Sequence, residues 1–366
     1  MNNIITKNKR LWTILSIYLL VCLGLIIFLR NPPDAVINYL IQTVISHNQA
    51  RNFFEKDGLY VITTGTGAPM PDKNRTGPQT VVVAGRQVLV FDAGPGSTLK
   101  LELSPVDVGS VDALFITHFH SDHIGGIGEL MLKRWATGSS EQPLPIYGPP
   151  GIDEVVNGFE AAYQLDKGYR IAHHGEKVVP SSGFGGEAHS FDLGSDLMSS
   201  KMVYEQGGVE VIAFNVDHTP VFPAVGYRVN YKGRSVVITG DTKYNKSLIR
   251  HANKADVLIS EALNKKFAAM MANAGRNTET NMTAIATDIQ DYHISPKEAA
   301  DVAREAGVKQ LVITHIVPPV PNDFMIRPFL KEARSVYSGK LYMANDGTLI
   351  SLPVHSDAIS IQELLK

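Results

Sequence analysis

The chain reads as an α/β protein led by an apolar helix. Three observations carry that reading: an uncharged stretch at residues 11–29, a succession of short β-branched runs cut by Gly, Pro and Asp from residue 59 onward, and helical-period segments between those runs. With 366 residues and 44% apolar content the chain can bury a full core, and its length suits one large domain with an appendage.

The first element, "LWTILSIYLLVCLGLIIFL", is long enough as a helix to cross about 30 Å of hydrocarbon. Lys7, Lys9 and Arg10 precede it and Arg30 follows. The positive-inside rule then places residues 1–10 in the cytoplasm, residues 11–29 in the membrane as a transmembrane helix, and the rest outside, in a periplasmic position. The rival is a cleaved signal segment releasing a secreted protein, but "FLRNPPDA" offers no small-x-small cleavage site. Pro32 and Pro33 stop the helix. Residues 30–56, with Val36, Tyr39, Leu40, Val44 and Ile45 at helical spacing, read as an amphipathic stalk. The main domain is expected at 57–354 and a tail at 355–366.

Within the main domain, "TVVVAGRQVLVFDAG" (80–94) predicts a hairpin turning at "AGR". Further strands are expected at 112–116, 209–214, 224–230, 235–239, 256–259 and 310–314. Helices fit near 124–134, 151–163, 245–252, 261–273 and 296–306. The last opens on a capping box, with Ser295 as cap, Pro296 at the first helical position and Glu298 closing it. The Gly/Ser-rich insertion at 180–200 is expected to be a loop bordering a site.

Lys and Arg number 34 against 36 Asp and Glu, a net charge of -2, which lacks the basic excess of a dedicated nucleic-acid binder and argues against such a partner. Cys22 is the single cysteine, so no disulfide and no cysteine-built metal site can form within one chain. Ligation falls to histidine and carboxylate.

Those residue types crowd together in "THFHSDHIGG" (117–126), directly after the apolar run "VDALFI". Side chains alternate along an extended segment, so His118 and His120 point the same way and can share one metal. Asp122 and His123 fall where the chain turns into a helix and can serve a second ion. A lone loop histidine is ordinarily a surface residue; H-x-H-x-D-H after a strand is far more specific.

The segment resembles the signature of the metallo-β-lactamase superfamily, and the other expected pieces occur in order over about residues 59–352: "VLVFDAG" with Asp92, "FNVDHTPVFPAVGYRV" with His218, "VVITGDT" with Asp241 and "LVITHIVPP" with His315. The resemblance implies a four-layer αββα sandwich preceded by the N-terminal helix. It implies that His118, His120 and His218 hold one metal, that Asp122, His123 and His315 hold the other, that Asp241 bridges them, and that Asp92 braces the histidine loop. A donor set of imidazole and carboxylate suits two Zn²⁺ and permits Mn²⁺ or Fe²⁺. Two cations sharing Asp241 would hold a water between them and lower its pKa toward neutrality, giving a hydroxide nucleophile.

"TGTGAPMPDKNRTGPQ", "SEAL" and "DYHISPKEAADVAREAGVKQLVITH" resemble the ribonuclease Z and arylsulfatase-like branch. That likeness makes His293 a catalytic residue beside Asp122, protonating the leaving group or steadying its charge. Bacterial ribonuclease Z enzymes typically carry a tRNA-grasping arm between the GYR segment and the bridging aspartate, whereas "GYRVNYKGRSVVITGD" joins the two directly. The expected function is therefore hydrolysis of a small or exported anionic phosphodiester or sulfate ester. Ribonuclease Z activity, lactone cleavage and a catalytically silent metal-binding protein are the alternatives. Oligomeric state stays open, a homodimer included.

Other residues are expected to serve less directly. His173 and His174 read as a loop pair after a helix, His189 as a loop residue, and His47, His251 and His355 as surface residues. Phe267, Met270 and Met271 fall at helical spacing as core, with a substrate-covering helix as the other reading. Arg75 is placed either against an anionic ester group or in solvent.

Overall fold

A computed structural model describes residues 2–49, 54, 56–276 and 281–365. The chain divides into two units, Met1–Phe53 and Phe54–Lys366. In the first, helices Asn2–Arg30 and Asp34–Gln49 flank the proline pair and are bent by 57°. Among the described residues no single helix is long and apolar enough to cross a membrane; Leu15–Arg30 and Asp34–Thr43 pass that test only together. Of the expected stalk, residues 50–53 and 55 lie outside the described residues.

In the second unit the strands are β1 Gly58–Gly65, β2 Gln79–Ala84, β3 Gln87–Phe91, β4 Ala113–Phe115, β5 Leu144–Gly148, β6 Gly186–Ser190, β7 Ser200–Gln206, β8 Val209–Asn215, β9 Val225–Tyr231, β10 Arg234–Ile238, β11 Val257–Leu263, β12 Gln310–Val317, β13 Lys340–Met343, β14 Thr348–Pro353 and β15 Ser360–Glu363. Among the described residues they form two sheets, ordered β15-β14-β1-β2-β3-β4-β5-β6 and β13-β12-β11-β10-β9-β8-β7. Both are mixed: β3 to β6 run parallel, as do β10 to β13, while the flanking pairs are antiparallel.

The sheets face each other across one core. Leu59, Val82, Phe91 and Phe115 of the first meet Val211, Tyr227, Val229 and Ile259 of the second, all buried. Phe91 stacks on Phe115 at 4.9 Å, and the fully buried Tyr227 donates its hydroxyl to Ile116 O at 2.6 Å, so the polar tip is satisfied. Each such side chain contributes roughly 1.5–3 kcal/mol on burial. A second core covers the outer face of the second sheet, where Leu248, Ala299, Val302 and Phe329 of the helices pack on Phe214, Leu258 and Leu311. Helices also cover the outer face of the first sheet around Trp135, Val179 and Phe184. Because both faces of each sheet are covered, β1 is buried along its whole length, its apolar Leu59–Ile62 and its Thr63 and Thr64 alike.

The hairpin at "AGR" forms as expected, β2 and β3 pairing around Gly85–Arg86. So does the capping box: Ser295 Oγ accepts from Glu298 N, and Glu298 Oε2 accepts from Ser295 N at 2.8 Å. The helix expected at 261–273 begins only at Lys265, since β11 runs through Leu263, and three other expectations change. The helix expected at 151–163 runs Ile152–His174 and carries His173 and His174 exposed in its last turn. The insertion contributes edge strand β6 and lines no part of the site cavity among the described residues; Asn215 Nδ2 ties it down by donating to Gly194 O and Asp196 O, both at 2.9 Å. His251 is buried, its ring stacked on Phe214 at 4.4 Å, because the end of helix Lys246–His251 presses onto the second core.

Candidate metal centre

The second sheet's parallel strands and β3–β4 end at one rim, and each sequence-predicted residue except His293 lies on or just after a strand end there. Asp92 follows β3, the histidine loop follows β4, His218 lies between β8 and β9, Asp241 follows β10, and His315 lies near the end of β12. Carboxyl ends of parallel strands are where such sheets ordinarily build sites.

Local backbone features aim the side chains. Short helix Ser121–Ile124 turns Asp122 and His123 inward, both buried. In the β11–β12 pairing Thr314 faces Glu261 and Ile316 faces Ala262, so His315 is an extra residue, a bulge that redirects its ring. His315 has φ 40 and Asp92 φ 60, left-handed values uncommon outside glycine. Gly240, at φ 58, turns the chain before Asp241; a Cβ there would lie 2.8 Å from Thr117 Cβ.

Ligand atoms of His118, His120, His218 and Asp241 lie within 4.8 Å of one another, and so do those of Asp122, His123 and His315. Asp241 belongs to the first group and its other oxygen approaches the second. Its Oδ2 is 3.8 Å from His118 Nε2 and from His218 Nε2, while Oδ1 is 3.3 Å from His123 Nε2 and 3.6 Å from His315 Nε2. His315 Nε2 also approaches Asp122 Oδ2 at 3.2 Å.

The opposite ring nitrogens are held by the protein. His123 Nδ1 lies 2.8 Å from Asp92 Oδ2, and Asp92 Oδ1 accepts from Thr117 N at 2.9 Å. His218 Nδ1 donates to Tyr292 O at 2.9 Å, and His118 Nδ1 sits 3.1 Å from Thr117 Oγ1. Such partners fix ring orientation and tautomer.

Burial depresses His118 well below the usual histidine range and His218 to about 4, keeping both rings neutral and ready as ligands. Burial also opposes charge on His123 and His315, but Asp241 and the neighbouring carboxylates outweigh it, lifting His123 well above the usual range and His315 to about 9. Asp241 itself is buried, yet His315 and His123 drive it well below the carboxylate range.

His123 Nε2, His218 Nε2 and Asp241 Oδ1 are buried polar atoms without a hydrogen-bond partner, and they converge on the same small region. Orphaned donors and acceptors of this kind are costly unless a cation occupies their focus. The donor set therefore fits a binuclear metal site.

Sequence reasoning missed Glu261. His293 Nδ1 lies 2.9 Å from both of its carboxylate oxygens, and Oε1 also accepts from Thr242 N at 2.8 Å. The available signal was a carboxylate inside the apolar run "VLISEAL", since a fully buried Glu needs a partner. Arg75 meets neither of its expectations: its guanidinium is enclosed, donating to Thr66 Oγ1, Ala344 O and Asn345 Oδ1.

Comparison with known proteins places these residues in a wider set. A family model described as "Beta-lactamase superfamily domain" matches residues 87–316. The ribonuclease Z of Mycobacterium bovis (strain BCG / Pasteur 1173P2) is 35% identical over 290 residues, covering 79% of this chain and 96% of that protein. The ribonuclease Z of Mycolicibacterium paratuberculosis is 38% identical over 262 residues, covering 71% and 86%. Among solved structures, human tRNase Z, short form, matches with a TM-score of 0.58 at 25% identity, covering 81% of this chain and 100% of that one. The metallo-beta-lactamase fold protein YhfI from Bacillus subtilis matches with a TM-score of 0.57 at 23% identity over 81% of this chain and 100% of its own.

Proposed function

The chain belongs to the metallo-β-lactamase superfamily and is a metal-dependent hydrolase of ester bonds; from that premise we propose that it is a phosphodiesterase of the ribonuclease Z kind. His118, His120 and His218 would hold one cation and Asp122, His123 and His315 the other, with Asp241 placed to serve both. The observation that carries this reading is the division of Asp241, one oxygen toward His118 and His218 and the other toward His123 and His315.

When bound, two cations supply Lewis acidity toward phosphate oxygens and lower the pKa of nearby water; zinc suits the donors, with manganese or iron permitted. The chain's residues do the rest. Asp92 fixes His123, and Asp122, which lines the cavity, orients the attacking water. His293 keeps Nδ1 on Glu261 and presents Nε2 to the leaving oxygen as proton donor.

The likeness to ribonuclease Z supports phosphodiester over sulfate-ester chemistry, and its extent, 96% of the Mycobacterium bovis protein, supports the 3′ trailer of a precursor tRNA as substrate. The net charge of -2 weighs against a nucleic-acid partner. A second reading, a small diester, is favoured by a specific observation: β9 and β10 pair from Tyr231 and Arg234 onward around the turn Lys232–Gly233, leaving no room for a tRNA-grasping arm there. Residues 11–29 are proposed as a membrane anchor with the enzymatic domain outside, on composition alone.

The test is a rate survey of the zinc-loaded protein on a precursor tRNA, bis(p-nitrophenyl) phosphate, p-nitrophenyl phosphate and p-nitrophenyl sulfate. Diester cleavage should exceed monoester and sulfate cleavage and should vanish in His118→Ala. Failure on both diesters, or sulfate as the preferred substrate, rejects the reading.

A further inference from the structure

A cavity of about 540 Å³ opens from the ligand cluster, within the size range of small-molecule sites. Its polar lining includes His120, Asp122, Asp241, His293 and His315. Its apolar lining includes Met70, Met271, Met282, Ile285, Ile289 and Val317. Helices Lys265–Gly275 and Met282–Asp288 carry much of this wall, held together by Thr283 Oγ1 donating to Ala272 O at 3.0 Å.

Two properties of the wall are informative. Met282 is 40% exposed and Ile285 52% exposed although both face the cavity, so apolar surface stands open to whatever enters it. And among the described lining residues there is no Lys or Arg. A polynucleotide threaded here would bring successive phosphates with no cation to pair them, against the way nucleic-acid sites are ordinarily built. Unbranched Met and aliphatic Ile side chains, with Tyr292 the one Phe, Tyr or Trp ring among the described lining residues, suit a flexible hydrocarbon better than a stacked base.

We infer that this cavity takes the aliphatic chain of an amphiphilic phosphodiester, with the single phosphate at the ligand cluster and the chain along the Met282–Ile289 wall. The inference rests on the phosphodiesterase reading. Ile289 and Tyr292 lead directly into His293, so the alcohol on this side is the leaving group. In the reaction, water oxygen forms a bond to phosphorus and the bond from phosphorus to the alkyl oxygen breaks. The departing oxygen takes one proton, and a phosphate monoester and an aliphatic alcohol result.

The experiment has two arms on the zinc-loaded full chain. Calorimetric binding of ethyl-, butyl-, hexyl- and octylphosphonate, which contain no ester bond, reads the cavity without turnover. Hydrolysis of the matching methyl alkyl phosphodiesters, followed by phosphorus NMR, reads the reaction. Each added methylene should tighten binding and raise kcat/KM by about two- to fourfold. Ile285→Asp, at a half-exposed helical position, should flatten both series. A flat series in the wild-type protein while diesters are cut overturns the aliphatic assignment alone, as does an oligoribonucleotide that outcompetes octylphosphonate. Steep binding with no diester cut overturns the phosphodiesterase reading alone. An unchanged slope in Ile285→Asp also overturns the assignment.

Discussion

Glu261 holds His293 through Nδ1, with both carboxylate oxygens 2.9 Å from that nitrogen. The same carboxylate accepts from Thr242 N, next to Asp241, so one buried group ties the candidate proton donor to the loop that carries Asp241. Burial disfavours charge on both members of the pair; Glu261 lifts His293 above its ordinary range, and burial lifts Glu261. Both shifts describe one proton shared by the pair across the Nδ1–carboxylate contact.

Glu261→Gln removes that support while leaving a side chain of the same shape. With His293 as a general acid, activity is present below its pKa and lost as pH rises through it. Removing the charge that lifts His293 should move this alkaline limb to lower pH and reduce kcat by about 10²-fold on substrates with poor leaving groups. His293→Ala should give the same leaving-group bias. A pH–rate profile of Glu261→Gln that superimposes on wild type would exclude the positioning role.

Asp92 acts one bond further from the cluster, on His123 Nδ1 and Thr117 N. Asp92→Asn keeps size but removes the charge that orients the ring. Metal affinity should weaken by about 10- to 100-fold, measured as zinc retained against a competing chelator. Equal retention by mutant and wild type would show that the hydrogen bond does not set ligand geometry.

Much of this site was legible because four of its residues fall within six positions. H-x-H-x-D-H needs only the strand and helix periods to be placed, and His118, His120, Asp122 and His123 indeed divide between two groups of ligand atoms. Glu261 was only half legible: a carboxylate inside "VLISEAL" signals a buried partner, but that partner, His293, lies 32 residues away and periodicity does not identify it. Its strand was misjudged for the same reason: β11 continues through Leu263, where "SEAL" reads as a helix start once its buried partners are unknown. Helix Ile152–His174 outran its expectation because, of its residues, only Ile152 and Val156 are buried, so no apolar stripe marks its later turns. The apolar cavity arises from helices distant in sequence from the histidine loop, and periodicity alone does not assemble it.

Gly240 precedes Asp241 in a left-handed conformation, with Thr117 Cβ 2.8 Å and Val225 O 3.0 Å from the position a Cβ would take. Gly240→Ala therefore meets both an unfavourable φ and the backbone of β9. It should destabilise the protein by about 1–3 kcal/mol and displace Asp241 from the cluster. Denaturant unfolding and zinc content check the two effects separately; a wild-type midpoint would contradict the crowding.

His251 gives a pH dependence remote from the ligand cluster. Burial against Phe214, with Arg250 and Arg228 nearby, lowers its pKa from 6.5 to about 4, and its Nε2 has no hydrogen-bond partner. The unfolded chain then binds a proton between these values that the folded chain refuses, so stability rises with pH across the window. As pH falls from about 6.5 toward 4, the wild-type protein should lose about 1 kcal/mol through this residue, after solvent screening at its partly accessible edge. His251→Phe preserves the stack and carries no titrating group, and should lose correspondingly less. Urea unfolding of both proteins at neutral and mildly acidic pH measures the difference, and the comparison is made with zinc held constant because the ligand histidines also take up protons. Identical acid sensitivity in the two proteins would mean that His251 opens to solvent before it protonates.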